Sequence, residues 1–448
     1  MNYNIKINEP KIYLDSNGIT IKCTPNCPVG FKQIVNGIEY EVVDNKMLWQ
    51  KRNDLFLKRN KINIDFQKLC TTKVTDLSRL FEKCYGVFNQ PIGNWDISNV
   101  TSMKRMFFKC HFNQRISDWD VSNVEDMSGL FGFSTFNQPI GDWDSSKVEN
   151  MSSMFLFSDF NQSIGDWNVK NVKTMSSMFA YSNFNQAIGD WDVSNVTDMS
   201  NMFSGTSLTN FVEKQIINPF NCSIENWNVS RVTNMNGMFQ GSLFNQPIDK
   251  WNVKNVNNMR GMFGDSIFNN SIKNWDVSNV KDMAYMFFNS PFNQSIEFWD
   301  VSQVEDMSSM FCSSLFNKPI GKWNVGKVKM MPSMFVNSPF NHPIGKWNVC
   351  NVTYMSWMFS DSEFNQSICN WDMSSVSHMN GMFEKTKFNQ PINRWNVRSV
   401  LSMDEMFHNS CFNQNISRWC VKNIDSEPLY FSKDSLLSDE NKPIEVSI

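Results

Sequence analysis

Tryptophan recurs in this chain on a beat of 24 residues. Trp95, Trp119, Trp143, Trp167 and Trp191 stand 24 apart, a 36-residue step leads to Trp227, and the beat resumes at Trp251, Trp275, Trp299, Trp323, Trp347, Trp371, Trp395 and Trp419. Self-similarity at a fixed short period restricts a chain to architectures that grow by stacking, because one short apolar pattern buries its face only against its own copies. The 448 residues would otherwise suggest about three globular domains. The apolar mass fits the same reading. It sits in 38 Phe, 29 Met and 16 Trp, although only 41% of the chain is hydrophobic.

The consensus repeat is F-N-Q-x-I-x-x-W-[DN]-V-x-x-V-x-x-M-x-x-M-F. In one copy the apolar set is Phe112, Ile116, Trp119, Val121, Val124, Met127, Leu130 and Phe131. Trp119 and Val121 are two apart, the spacing of a short strand with one buried face. Val124, Met127 and Leu130 are three apart, the spacing of a turn or two of α or 3-10 helix, with Ser122 and Asn123 placed to cap it. The expected fold class is therefore an α/β solenoid, each 24-residue repeat giving one short parallel strand and one short α/3-10 helix. Strands about 4.8 Å apart would make a curved rod roughly 65 Å long, strands on its inner face.

The expected organisation has five parts. Residues 1–61 form an N-terminal module or cap, with a hairpin around Asn36-Gly37 and a basic stretch from Met47 to Phe66. Residues 62–85 are a degenerate first repeat. Residues 86–424 hold fourteen repeats, interrupted by 12 extra residues between 204 and 219 that carry Phe211, Val212, Ile216 and Ile217. Residues 425–448 are a C-terminal cap and loose tail. The insertion is either a specific contact or a tolerated bulge.

The Asn after the first Phe recurs in every repeat, from Asn89 to Asn413. A stacked amide there would satisfy backbone groups that stacking buries. The residues flanking Trp are the candidate binding surface. Asp118, Asp142, Asp166 and Asp190 precede it in the first part; Asp120, Asp144 and Asp192 follow it. Lys250, Lys322, Lys346 and Arg394 take the preceding slot later, with Phe298 as an apolar exception. The candidate interaction residues are these eleven charged side chains together with Phe211. Such a surface, acidic toward one end and basic toward the other, suits an extended protein partner or end-to-end association.

Net charge is −3, which argues against nucleic acid as a partner. No apolar run is long enough to span a membrane, and the polar start lacks a secretory signal. The expectation is a protein inside a cell or on a virus particle, a monomer or weak self-associator. His111, His342, His378 and His408 share no repeat position, and no phosphate loop or nucleophile motif occurs. Eleven cysteines hold no fixed slot; only Cys23 and Cys27, with Cys70 and Cys84, leave a weak metal set. The reading is of a non-enzymatic chain with no cofactor and no metal.

The unit F-N-Q-x-I-x-x-W-D-V-S-N-V-x-x-M-S-x-M-F closely resembles that of the BspA-like surface-protein family, first described as a mycoplasma domain of unknown function. The resemblance covers about 88–424. It implies a relation to leucine-rich repeats, with Ile116, Trp119 and Val121 matching strand leucines and Val124, Met127 and Leu130-Phe131 the helical side. It also implies adhesion, since many members are surface proteins. Without an export signal, this chain looks more like a giant-virus member. Two functions follow as expectations: a scaffold binding an extended protein, possibly a host's, through the inner strand face; or a structural or virion-associated component that self-associates or mediates attachment.

Overall fold

Strand pairing begins near the N-terminus. In the computed structural model, which describes residues 9–57, 64–86, 88–206 and 217–443, β1 (Ile12–Leu14) pairs antiparallel with β2 (Ile21–Cys23). A three-stranded sheet follows. β3 (Lys32–Val35) and β4 (Ile38–Asp44) are antiparallel, and β5 (Leu69–Lys73) runs parallel to β4. Asn36 and Gly37 both take positive φ, 49° and 80°, which gives the turn the twist of its flanking strands. α1 (Asn45–Leu57) starts on the carboxylate of Asp44, which accepts the Met47 N–H at 2.8 Å. Ile12, Ile21, Cys23, Cys27, Tyr40, Val42 and Cys70 form the core of this region.

After Lys73 the described residues contain no strand and no helix except one 3-10 turn at Asp439–Asn441. The expected α/β solenoid, with a leucine-rich-repeat strand and helix in each repeat, is not what the chain builds. Each repeat is a run of four-residue turns. Met106 N–H bonds Met103 O at 3.1 Å, Cys110 bonds Phe107 at 3.1 Å, Trp119 bonds Ile116 at 3.3 Å and Val124 bonds Val121 at 2.9 Å. Two of these turns carry a positive φ at their third residue, Arg105 at 54° and Lys109 at 56°, as a type II turn requires. The same slots are positive in later repeats, at Gly129, Ser153, Ser177 and at Phe133, Phe157, Tyr181.

This explains the misreading. A left-handed residue every four positions prevents an α-helix, yet successive turns repeat an apolar spacing of three just as a helix does. The strand fails for a second reason. The Trp119 N–H is already used inside its own repeat by Ile116 O, so it cannot join a ladder.

Neighbouring repeats are joined along the Met-x-x-Met-Phe segment. Met103 N–H bonds Asp126 O at 2.9 Å, Arg105 bonds Ser128 at 2.8 Å, Phe107 bonds Leu130 at 3.0 Å and Lys109 bonds Gly132 at 2.8 Å. Only one residue per junction forms a parallel β-bridge, as in Ser102 with Asp126 and Asp126 with Asn150. Side chains stack in the same register. Phe107 lies 5.7 Å from Phe131, Phe112 6.2 Å from Phe136 and Trp119 6.5 Å from Trp143, all close to parallel. The indole N–H reaches back to the Ile carbonyl of the repeat before it, as in Trp119 to Ile92 at 3.1 Å, whereas Trp95 at the start donates to Phe66 O at 2.9 Å.

The chain divides into two compact bodies. One comprises Met1–Val196 with Asn218–Cys222; the other comprises Thr197–Ile217 with Ser223–Ile448. In the second body the repeat register runs past the last Trp. Glu405, Phe407 and Asn409 donate to the carbonyls of Leu429, Phe431 and Lys433. The Phe431 ring meets Phe407 edge-on at 5.4 Å. Leu437 is buried and Leu436 is exposed.

Candidate functional site

The acidic residues around Trp fall into two sets with different tasks. The residue after Trp is engaged by its own backbone. Asp120 Oδ1 accepts the Ser122 N–H at 3.1 Å and its hydroxyl at 2.6 Å. Asp144 accepts the Ser146 N–H at 3.0 Å and Asp192 the Ser194 N–H at 3.1 Å. Asn168 and Asn252 do the same for Lys170 and Lys254. One amide or carboxylate oxygen suffices for this turn, which is why Asp and Asn interchange there.

The serine hydroxyls, and then the serine N–H groups, hold the carboxyls of Asp144, Asp192, Asp276 and Asp372 below their ordinary range. A carboxyl depressed in the folded state contributes stability that is complete above its unfolded pKa, about 3.9, and is lost as pH falls through the folded value. Asp282, pushed up by burial, has the opposite sign. Melting temperature should therefore fall as pH drops below about 4. Converting Asp144, Asp192, Asp276 and Asp372 together to Asn, which keeps the acceptor oxygen, should flatten that acid limb. An acid limb as steep as in the parent protein would refute this assignment.

The residue before Trp faces solvent. Among the described residues, Asp142, Asp166 and Asp190 are exposed with no cation within ion-pair distance; Asp118 is half-buried, accepts the Ser117 hydroxyl at 3.2 Å and meets Arg115 at 3.3 Å. All four lie in the first body and occupy one slot of consecutive repeats, next to Trp rings stacked 6.5 Å apart at Trp119–Trp143 and 6.4 Å at Trp143–Trp167. In the second body the slot carries cations. Lys250 pairs with Glu225 at 2.7 Å, and Lys322 pairs with Glu297 at 2.9 Å while lying 4.6 Å from the centre of the Phe298 ring. Lys346 and Arg394 are exposed, without a carboxylate partner among the described residues. Phe211 falls outside the described residues.

The asparagines are structural. Asn89 Oδ1 accepts the Asn113 N–H at 2.9 Å and Asn113 Oδ1 that of Asn137 at 3.0 Å, a pattern repeated to Asn413. A second asparagine escaped the sequence reading. Asn123, Asn171 and Asn255 each donate Nδ2 to a carbonyl of the preceding repeat, at Ser98, Ser146 and Ser230, all at 2.7 Å.

Sequence reasoning also missed a polar cluster in the second body. The slot after Met-Phe holds small or apolar residues such as Gly132, Ala180 and Val336. At Glu384 it holds a carboxylate that is 8% exposed, and one repeat later it holds His408. Ser360 donates to Glu384 Oε2 at 3.0 Å, Lys385 Nζ lies 3.0 Å from Oε1, and His408 Nδ1 lies 3.5 Å from Oε1. Burial opposes the charged form, but the Lys385 ammonium and the Ser360 hydroxyl hold the carboxyl below its ordinary range. Glu405 completes the group, with the donor atoms of Glu384, Glu405 and His408 all within 4.8 Å of one another. The cysteine set weighed from sequence does not assemble. Cys23, Cys27 and Cys70 share the N-terminal core, while the Cys84 thiol donates to Phe81 O at 2.6 Å.

Among the described residues no helix is long and apolar enough to cross a membrane. The profile of a family described as "Mycoplasma protein of unknown function, DUF285" matches residues 50–158, 132–215, 206–311, 265–363, 289–384 and 338–442. No curated protein matches the chain. The family match covers the mycoplasma part of the resemblance; it carries nothing on BspA proteins, leucine-rich repeats or giant viruses.

Proposed function

The chain belongs to the DUF285 family, whose function is unknown, and on that footing we propose that it is a non-enzymatic interaction scaffold for a basic segment of another protein. The observation that carries this reading is the column Asp142–Asp166–Asp190. Three like charges in one slot of consecutive repeats repel each other by about 0.6 kcal/mol per neighbouring pair in water. Among the described residues of the first body no cation pairs with them to offset that cost. A partner with lysines or arginines at strand spacing would relieve it, and complementary charge would speed encounter. The contact is made by exposed side chains. Among the described residues the repeats offer no strand face for an extended chain to lie along.

The test is fluorescence anisotropy with a labelled lysine-rich peptide at low salt. Binding should weaken as salt rises. Converting Asp142, Asp166 and Asp190 to Asn should reduce affinity roughly tenfold or more, at up to about 1 kcal/mol per exposed pair. Equal affinity for the triple variant and the parent protein would eliminate the acidic column as the site.

A second reading, a structural component that self-associates inside a cell or on a particle, is favoured by Lys346 and Arg394. They present unpaired cations in the slot that is acidic in the first body. It calls for sedimentation that is concentration-dependent and salt-sensitive.

A further inference from the structure

The cluster at Glu384, Glu405 and His408 has no place in an acidic docking column, and its geometry is unusual for a set of hydrogen bonds. The Nδ1 atom of His408 is fully buried and has no hydrogen-bond partner. Its nearest anionic oxygen, Glu384 Oε1, is 3.5 Å away, which is too long for a good N–H to carboxylate bond. Leaving such a nitrogen unsatisfied costs about 1–3 kcal/mol. The other ring nitrogen, Nε2, is 3.1 Å from Asn409 Nδ2, and the amide's oxygen and nitrogen exchange places on a half-turn of that side chain. Its role is therefore set by which way that amide faces. Turned so that Oδ1 accepts from Nε2–H, Asn409 leaves Nδ1 with its lone pair directed at the carboxylates.

A separation of 3.5 Å suits two ligands of one small cation. Zinc–nitrogen and zinc–oxygen bonds of about 2.0–2.2 Å at a tetrahedral angle place donor atoms roughly 3.4 Å apart. The third donor comes with the fold. His408 N–H bonds Glu405 O at 3.0 Å, so Glu405 and His408 open and close a single turn. Glu384 is one repeat earlier, its backbone fixed by bonds from its N–H to Gly381 O and from the Asp361 N–H to its carbonyl. One imidazole and two carboxylates thus converge from two adjacent rungs.

We propose that Glu384, Glu405 and His408 form a binding site for a divalent transition cation of the zinc type, with Glu384 Oε1 and His408 Nδ1 as the central pair of ligands. Lys385 Nζ, 3.0 Å from Glu384 Oε1, is the competing cation. It is about half exposed and swings into solvent when the metal enters. Ser360 keeps its bond to Oε2 and holds the carboxylate in place. The site rests on no part of the acidic-column reading, and either stands without the other.

The experiment is titration of the metal-stripped full chain with zinc by calorimetry, and with cobalt by visible absorption. The expected result is one ion per chain, with the cobalt spectrum of oxygen and nitrogen ligands. His408→Gln and Glu384→Gln should each weaken binding tenfold or more while leaving the melting temperature of the metal-free chain close to the parent's. Lys385→Met should strengthen binding, because it removes the competing ammonium group, and a merely structural cluster would not show that gain. Absence of saturable one-to-one binding would overturn the proposal. So would binding that survives His408→Gln, or a cobalt spectrum dominated by thiolate charge transfer, which would place the ion on cysteines.

Discussion

Replacing Trp251 by Ala should lower stability by about 3–5 kcal/mol. Its side chain is 3% exposed and stacks on Trp227 and Trp275, each at 6.4 Å and within 5° of parallel. Its indole N–H is a second donor to Ile224 O, at 3.1 Å, beside the backbone N–H of Trp227 at 3.1 Å. Alanine removes the ring, opens a gap in a column closed on both sides and takes away one of that carbonyl's two bonds. The effect cannot stay local, because the turns on either side have no stability of their own and hold together through their neighbours. Trp251→Phe separates the terms. It keeps a ring in the column but loses the indole donor, and should cost about 0.5–1.5 kcal/mol for that bond. Urea unfolding followed by circular dichroism reads both. A loss below about 1 kcal/mol for the alanine variant would mean that the aromatic columns do not hold the repeats together.

The burial pattern was legible in the sequence while the backbone was not. Phe112, Ile116, Trp119, Val121, Val124, Met127, Leu130 and Phe131 were read as apolar, and all are at most 3% exposed. Periodicity reports which side chains turn inward. It does not report which backbone turns them, and a spacing of three is common to a helix and to consecutive four-residue turns. One signal could have separated the two. The slot of Arg105 is filled by Gly129, Gly237, Gly261 and Gly381 in other repeats and by Asn201 in another, and all of these have positive φ. Recurrent Gly and Asn at one slot mark a left-handed residue, which a helix cannot hold.

The site was partly legible for a related reason. Reading along a single repeat showed the charges beside Trp but gave Asp120 and Asp142 equal standing, because the turn that engages Asp120 was taken for a strand. Glu384 and His408 are unremarkable within their own repeats. They stand out only when one slot is compared down the whole chain, where a carboxylate and an imidazole follow small or apolar residues.

Ser153 offers the decisive test of turn against helix, because two substitutions there should move stability in opposite directions. Its φ is 57°, its N–H bonds Ser176 O at 2.8 Å, and its carbonyl accepts the Leu156 N–H at 3.2 Å. Ser153→Pro forces φ to about −65° and deletes the N–H that ties two repeats together. The expected cost is about 3 kcal/mol or more. Ser153→Gly keeps both backbone bonds and relieves the left-handed strain of about 1–2 kcal/mol. Against this stands the extra chain entropy of glycine, about 0.5–1 kcal/mol, so the variant should be stabilised by roughly 0.5 kcal/mol. In a helix, proline would also be costly, but glycine would destabilise by a few tenths of a kcal/mol relative to serine. The sign of the glycine effect therefore decides between the two backbones. A clear loss of stability for Ser153→Gly in urea unfolding would return this segment to a helix.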